Sequence, residues 1–127
     1  MHWKIITVGR PALRWARDAV ADYETRLSRY TRCERIAVPA GTPEENGVRM
    51  RRQAEGSHLV ALHESGRRLR SLDFAKWIER HQLRATKSIA FLIGGADGHD
   101  DETLASVDET WSLSDFTLQH EIALVVL

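Results

Sequence analysis

The chain has 127 residues, 43% hydrophobic and 28% charged, the make-up of one soluble globular domain rather than of a fibre or a disordered segment. Its net charge of zero hides an asymmetry. All 18 Lys and Arg fall in residues 1–87 beside ten acids, whereas residues 88–127 hold eight acids and no Lys or Arg, a split that suits a nucleic-acid-binding face or the two sides of a self-association interface. No stretch approaches the roughly 18 apolar residues of a membrane span, and the opening MHWKIITVGR lacks the apolar core of a signal peptide. The lone Cys33 reads as a half-buried small residue. It leaves no internal disulfide and fits a reducing, cytoplasmic setting.

In chain order, residues 3–8 (WKIITV) form a short β-branched strand ended by Gly9. Leu13, Ala16, Val20, Tyr23, Leu27 and Tyr30 then recur at spacings of three and four, one face of an amphipathic helix over 12–30. Residues 35–40 (RIAVPA) read as a second strand stopped by Pro39 and Gly41. TPEE (42–45) opens a short charged helix, with Thr42 as cap and Glu45 reaching back to it. HLVALH (58–63) is a third strand, followed by a polar turn, ESGRR. Ser71 caps the next helix, which turns Phe74, Trp77 and Ile78 inward.

SIAFLI (88–93) is the most continuous apolar run, hence a central strand of a parallel sheet. DDETLASV (100–107) is a short acidic helix, and WSLSDFTLQHEIALVVL closes the chain. Strands alternating with helices predict one α/β domain over 1–127, with a mainly parallel sheet and helices on both faces. Ligands of such folds sit at the carboxyl ends of strands, here Gly9-Arg10, Ala40-Gly41, Leu62-His63 and Gly94-Gly95.

GGADG (94–98) fits neither the GxGxxG dinucleotide fingerprint nor a phosphate loop. Doubled glycine at a strand end serves either a tight turn or the close approach of a ligand. Downstream, SLSDFTLQH (112–120) mixes Ser112, Ser114 and Thr117 with Leu113, Phe116 and Leu118 without helical or strand period. Such a loop can present backbone groups to a flat heterocycle while its apolar residues enclose it. The six histidines are scattered with no HxH or HxxxH pair, so no metal site is expected.

HLVALHESGRRLRSLDFAKWI, IAFLIGGADG and WSLSDFTLQH, together with ITVGR and VPAG, resemble in order and spacing the ribosomal large-subunit methyltransferase family RlmH, of the SPOUT class. The resemblance covers essentially the whole chain. It implies a fold with a C-terminal trefoil knot, a homodimer, and S-adenosylmethionine as cofactor. It further implies methylation of N3 of a pseudouridine in 23S rRNA of the large subunit or assembled ribosome. Carried over, the cofactor pocket comprises Leu62, Gly95, Ser114, Asp115, Phe116, Thr117, Leu118 and Gln119. Removing the N3 proton calls for a base or a stabilising group, and His120 is the candidate.

The sequence departs from the family at Gln119, where proline is usual, and at Leu124, where arginine is common. Family members also continue past EIALVVL, so an incomplete knot and a shortened chain are expected. The alternatives to an active enzyme are a non-catalytic remnant of the scaffold that binds only cofactor or RNA, and an unrelated α/β module that binds another nucleotide or a partner protein at Gly94-Gly95.

Overall fold

A computed structural model describes residues 1–127. Five strands, β1 (His2–Val8), β2 (Arg32–Val38), β3 (His58–Arg68), β4 (Ser88–Ile93) and β5 (Glu109–Ser112), form one sheet in the order β2-β1-β4-β3-β5. Every pairing is parallel. Five helices connect them: α1 (Arg14–Leu27), α2 (Pro43–Gln53), α3 (Ser71–Leu83), α4 (Asp101–Ser106) and α5 (His120–Val126). No helix is long and apolar enough to cross a membrane.

The central strand β4 explains the layering. Its alternate side chains point to opposite faces, and all but Ser88 are buried. Ala90 and Leu92 pack with Ile6, Val38, Met50 and Ala54 under α2. Ile89 and Phe91 pack with Val60, Trp111 and Trp77 under α3. Ile93 meets Val20 of α1 and Ala123 and Leu124 of α5. The sheet therefore carries helices on both faces, as the alternating elements require.

The α3 layer is aromatic. Trp3 stacks on Phe91 with ring centres 6.0 Å apart, and Trp77 meets Trp111 edge-on at 4.7 Å, the offset and T-shaped arrangements that ring quadrupoles favour.

The structure corrects several sequence expectations. The first helix is shorter, and its stripe is divided: Ala16 and Val20 are buried, but Leu13, Tyr23, Leu27 and Tyr30 are exposed. The second strand lies earlier, because β1 pairs with it residue for residue from His2 with Arg32 to Val8 with Val38. The expected turn ESGRR is strand: after a register shift following Leu62, Arg67 and Arg68 pair with Trp111 and Ser112 of β5, a strand that periodicity did not reveal. Gly66 permits this, since a Cβ there would lie 2.5 Å from the Trp111 backbone.

Ser71 is not the cap of α3. Arg70 occupies the cap position, and the Asp73 carboxylate accepts hydrogen bonds from its backbone N–H at 3.2 Å and its Nε at 3.0 Å. The capping box of α2 forms as the sequence predicts.

Candidate functional site: a cleft at the carboxyl ends of the strands

The middle of β3 and the segments that follow β4 and β5 converge at one end of the sheet. Leu62, His63 and Glu64 come from β3, residues 93–99 from the end of β4 and its loop, and residues 112–120 from β5 into α5. Between them lies a cleft of about 690 Å³, within the range of small-molecule sites. After β5, at the sheet edge, the chain crosses back over the ends of β3 and β4 so that α5 packs against α1 and β4.

Of the residues carried over from the family resemblance, the cleft brings together Leu62, Gly95, Ser114, Phe116, Thr117, Leu118, Gln119 and His120. Asp115 is not in the lining; its carboxylate pairs with Arg68 on the outer side. Phe116 is 84% exposed and stands at the mouth.

The doubled glycine answers first to the chain itself. The Gly98 N–H donates to the Gly95 carbonyl at 3.0 Å, Gly98 adopts φ +75°, and a Cβ at Gly94 would meet the Gly98 backbone at 2.9 Å. A Cβ at Gly95 would press on Val8 at 3.3 Å. These glycines make the turn that forms the cleft wall.

The 113–118 loop is different in kind, because none of its backbone groups bonds to another backbone group. Ser114 ties it locally, accepting from Ser112 Oγ through its carbonyl at 2.9 Å and from the Phe116 N–H through its Oγ at 3.0 Å. The amides of Leu113, Thr117 and Leu118 have no partner within the protein. Partly buried Leu113 and Leu118 supply the apolar surface beside these groups.

Two carboxylates on the lining, Glu64 and Asp97, form no ion pair. They give the cleft a negative field with no fixed cation to oppose it. His99 is half-buried in the wall and donates from Nε2 to the Leu92 carbonyl at 3.1 Å. Burial pushes its imidazole below the ordinary value, so it stands neutral.

Gln119 caps α5, its Oε1 accepting from the N–H groups of Glu121 at 3.0 Å and Ile122 at 3.2 Å. This is a cap that proline could not supply. Its Nε2 faces His120 Nδ1 at 3.4 Å. Leu124, the other departure, is buried in the core beside Val20 and Ile93. Glu121 is also buried, and its carboxylate accepts from the N–H groups of Ala12 and Leu13 just before α1.

Sequence reasoning placed His63 at a strand end and Asp97 within GGADG without giving either a role, and did not single out Glu64 or His99; their nearness to those named segments was the available signal.

A parallel α/β sheet with a ligand-sized cleft at its carboxyl edge, walled by a chain segment returning from the edge strand, defines a class of small-molecule-binding α/β proteins. Residues 1–127 match the family described as "Predicted SPOUT methyltransferase", and the chain belongs to that family. It is 37% identical over its whole length to the ribosomal RNA large subunit methyltransferase H of Deinococcus deserti, covering 88% of that protein. The proteins of the same name from Sorangium cellulosum and Thermus thermophilus are each 36% identical across the whole chain, which covers 88% and 86% of them.

Proposed function

We propose that this methyltransferase takes its methyl group from S-adenosylmethionine and places it on N3 of a pseudouridine in 23S rRNA, working as a single-domain protomer of a cytoplasmic homodimer on the large subunit or assembled ribosome. The observation that carries the reading is the cleft, whose chemistry fits the cofactor on three counts. Its volume suits a nucleoside with an amino-acid arm. Its unpaired carboxylates, Glu64 and Asp97, complement a ligand bearing a sulfonium and an ammonium. Its loop offers unpartnered amides beside Leu113 and Leu118, as the edge and faces of an adenine require.

Leu62, Gly95 and residues Ser114 and Phe116–Gln119 would hold the cofactor, with Asp115 acting from outside by fixing the loop to Arg68. When bound, S-adenosylmethionine supplies an electrophilic methyl group. Leu62, Leu113 and Leu118 would shield one side of it from water, with Phe116 standing at the mouth. Position matters most, because transfer needs the acceptor nitrogen in line with the methyl group. His120 accepts the Gln119 amide at Nδ1, which leaves the ring proton on Nε2. From there it would donate to a carbonyl oxygen flanking N3 and steady the charge there as the N3 proton passes to water, the methyl–sulfur bond breaking to leave the neutral thioether.

The RNA reading rests on position as well as on the names of the relatives. Arg67, Arg68, Lys76 and Arg80 line a groove between the end of β3 and α3, and Arg68 touches the cofactor loop through Asp115. Phosphates gripped there would bring a nucleotide to the mouth of the cleft. The exposed stripe of α1 supplies an apolar surface for a second copy. On this reading the return of the chain from β5 to α5 would be part of the C-terminal knot.

Calorimetric titration with S-adenosylmethionine, S-adenosylhomocysteine and ATP tests the cofactor, and transfer of labelled methyl to 23S rRNA of ribosomes lacking the modification tests the acceptor. Saturable binding of the first two but not ATP, lost on Leu118→Glu, is expected. A folded protein that binds neither sinks the proposal.

A further inference from the structure

At the opposite end of the sheet the fold gathers three side chains that sequence spacing kept apart. His58 begins β3, Glu109 begins β5, and His81 lies near the end of α3. One donor atom from each lies within 4.8 Å of the other two. We propose that His58, His81 and Glu109 bind one divalent transition-metal ion of the zinc class, with water as the fourth ligand.

The donor set is the first support. Two imidazoles and a carboxylate are ligands of zinc in its open, three-protein-ligand form. The surroundings are the second. A metal-bound histidine is ordinarily oriented by a partner on its other ring nitrogen, and both histidines have one. His81 Nδ1 is hydrogen-bonded to Thr86 Oγ1 at 2.9 Å, which leaves Nε2 free. His58 Nδ1 faces the Asp108 carboxylate at 3.6 Å, while its Nε2 points at Glu109 Oε2, 2.7 Å away. Glu109 is braced in turn by the Trp77 and Trp111 indole N–H groups at 2.8 and 3.2 Å.

The ion would replace one hydrogen bond. The His58 proton moves from Nε2 to Nδ1, toward Asp108, and Nε2 and Oε2 become ligands while the indole bonds remain. Ligand atoms around a tetrahedral zinc stand about 3.3 Å apart, so shifts of about 1 Å complete the site.

His58 and Glu109 are each about a quarter exposed, so an ion can enter. Bound there, it would clamp α3 to the first residues of β3 and β5, far from the cleft.

The test uses tag-free, chelator-treated full chain. Zinc is titrated by calorimetry, and cobalt(II) is followed by its visible absorption. One ion per chain is expected, with a tetrahedral cobalt spectrum and a thermal midpoint raised by zinc. His58→Gln, at a partly exposed position, should weaken binding by about a hundredfold, the upper end of what even an outer-shell loss costs. His63→Gln, His120→Gln and Cys33→Ser should not. Anomalous scattering at the zinc edge from crystals of the unaltered protein locates the ion without any variant. Absence of saturable one-to-one binding overturns the proposal, as does binding that survives His58→Gln or an anomalous peak elsewhere.

Discussion

Helices α1 and α3 carry similar apolar stripes and meet opposite fates. In α3 the stripe is sealed: Trp77 and His81 are buried, and Phe74 and Ile78 pack against the aromatic cluster on the sheet. In α1 only Ala16 and Val20 reach the core, while Tyr23 is 51% exposed and Tyr30, just past the helix end, 86%. Periodicity of three and four names the apolar face of a helix but not what covers it. For α3 the cover is the sheet. For α1 it is Ile93 of the sheet and the small surface of α5 plus, on the proposed reading, a second copy of the chain.

Trp77→Ala should cause the largest loss. It opens a cavity among Phe91, Trp111 and Phe74 and removes a donor from Glu109, a cost of about 3–5 kcal/mol measurable by denaturant unfolding. A loss no greater than that at an α1 surface position would erase the contrast between the two helices.

Glu121→Gln ranks next. The buried carboxylate receives the Ala12 and Leu13 N–H groups, and the weaker amide acceptor should cost about 1–3 kcal/mol. Because α5 opens at the cleft, affinity for S-adenosylhomocysteine should fall as well. Unchanged stability and affinity together would mean that this tie does not hold α1.

The His99 contribution is smaller and depends on pH. Burial holds its folded-state imidazole below the ordinary value, so the unfolded chain binds a proton that the folded chain resists. The stabilisation is complete above about pH 6.5, the unfolded value, and is lost as pH falls from there toward the folded one. His99→Gln should flatten that part of the stability–pH curve. A curve that keeps its slope places the titration elsewhere.

The smallest effect on folding belongs to α1. Tyr23→Ser with Tyr30→Ser should change monomer stability by no more than about 0.5 kcal/mol while shifting the oligomer toward monomer in sedimentation equilibrium. Losses approaching that of Trp77→Ala would show that the stripe is core after all.

The two ends of the sheet make a related point. At the amino end the polar side chains His58, Trp77, Glu109 and Trp111 satisfy one another. At the carboxyl end the loop amides and the carboxylates Glu64 and Asp97 lack partners. Groups left unpaired beside a cleft are free to bind something else, and these lie where strand ends predicted a ligand.

Local chemistry was legible from the sequence alone. β4 was recognisable because a strand buried on both faces must be apolar at every position. The α2 start was recognisable because Thr42 and Glu45 satisfy each other within one turn. The alternation of strands and helices determined the α/β class, and the order and spacing of IGGADG and SLSDFT carried the likeness to the methyltransferases.

Only the tertiary structure decided what depends on distant segments. Leu13 cannot cap α1, and the acceptor comes from Glu121, more than a hundred residues away. β5 is too short to announce itself and exists because β3, bent past Gly66, offers it an edge. His58, His81 and Glu109 share no sequence spacing, yet β3, α3 and β5 bring them together. A sequence displays interactions that close within a turn or along a strand. Those that close through space appear only once the sheet order has been chosen.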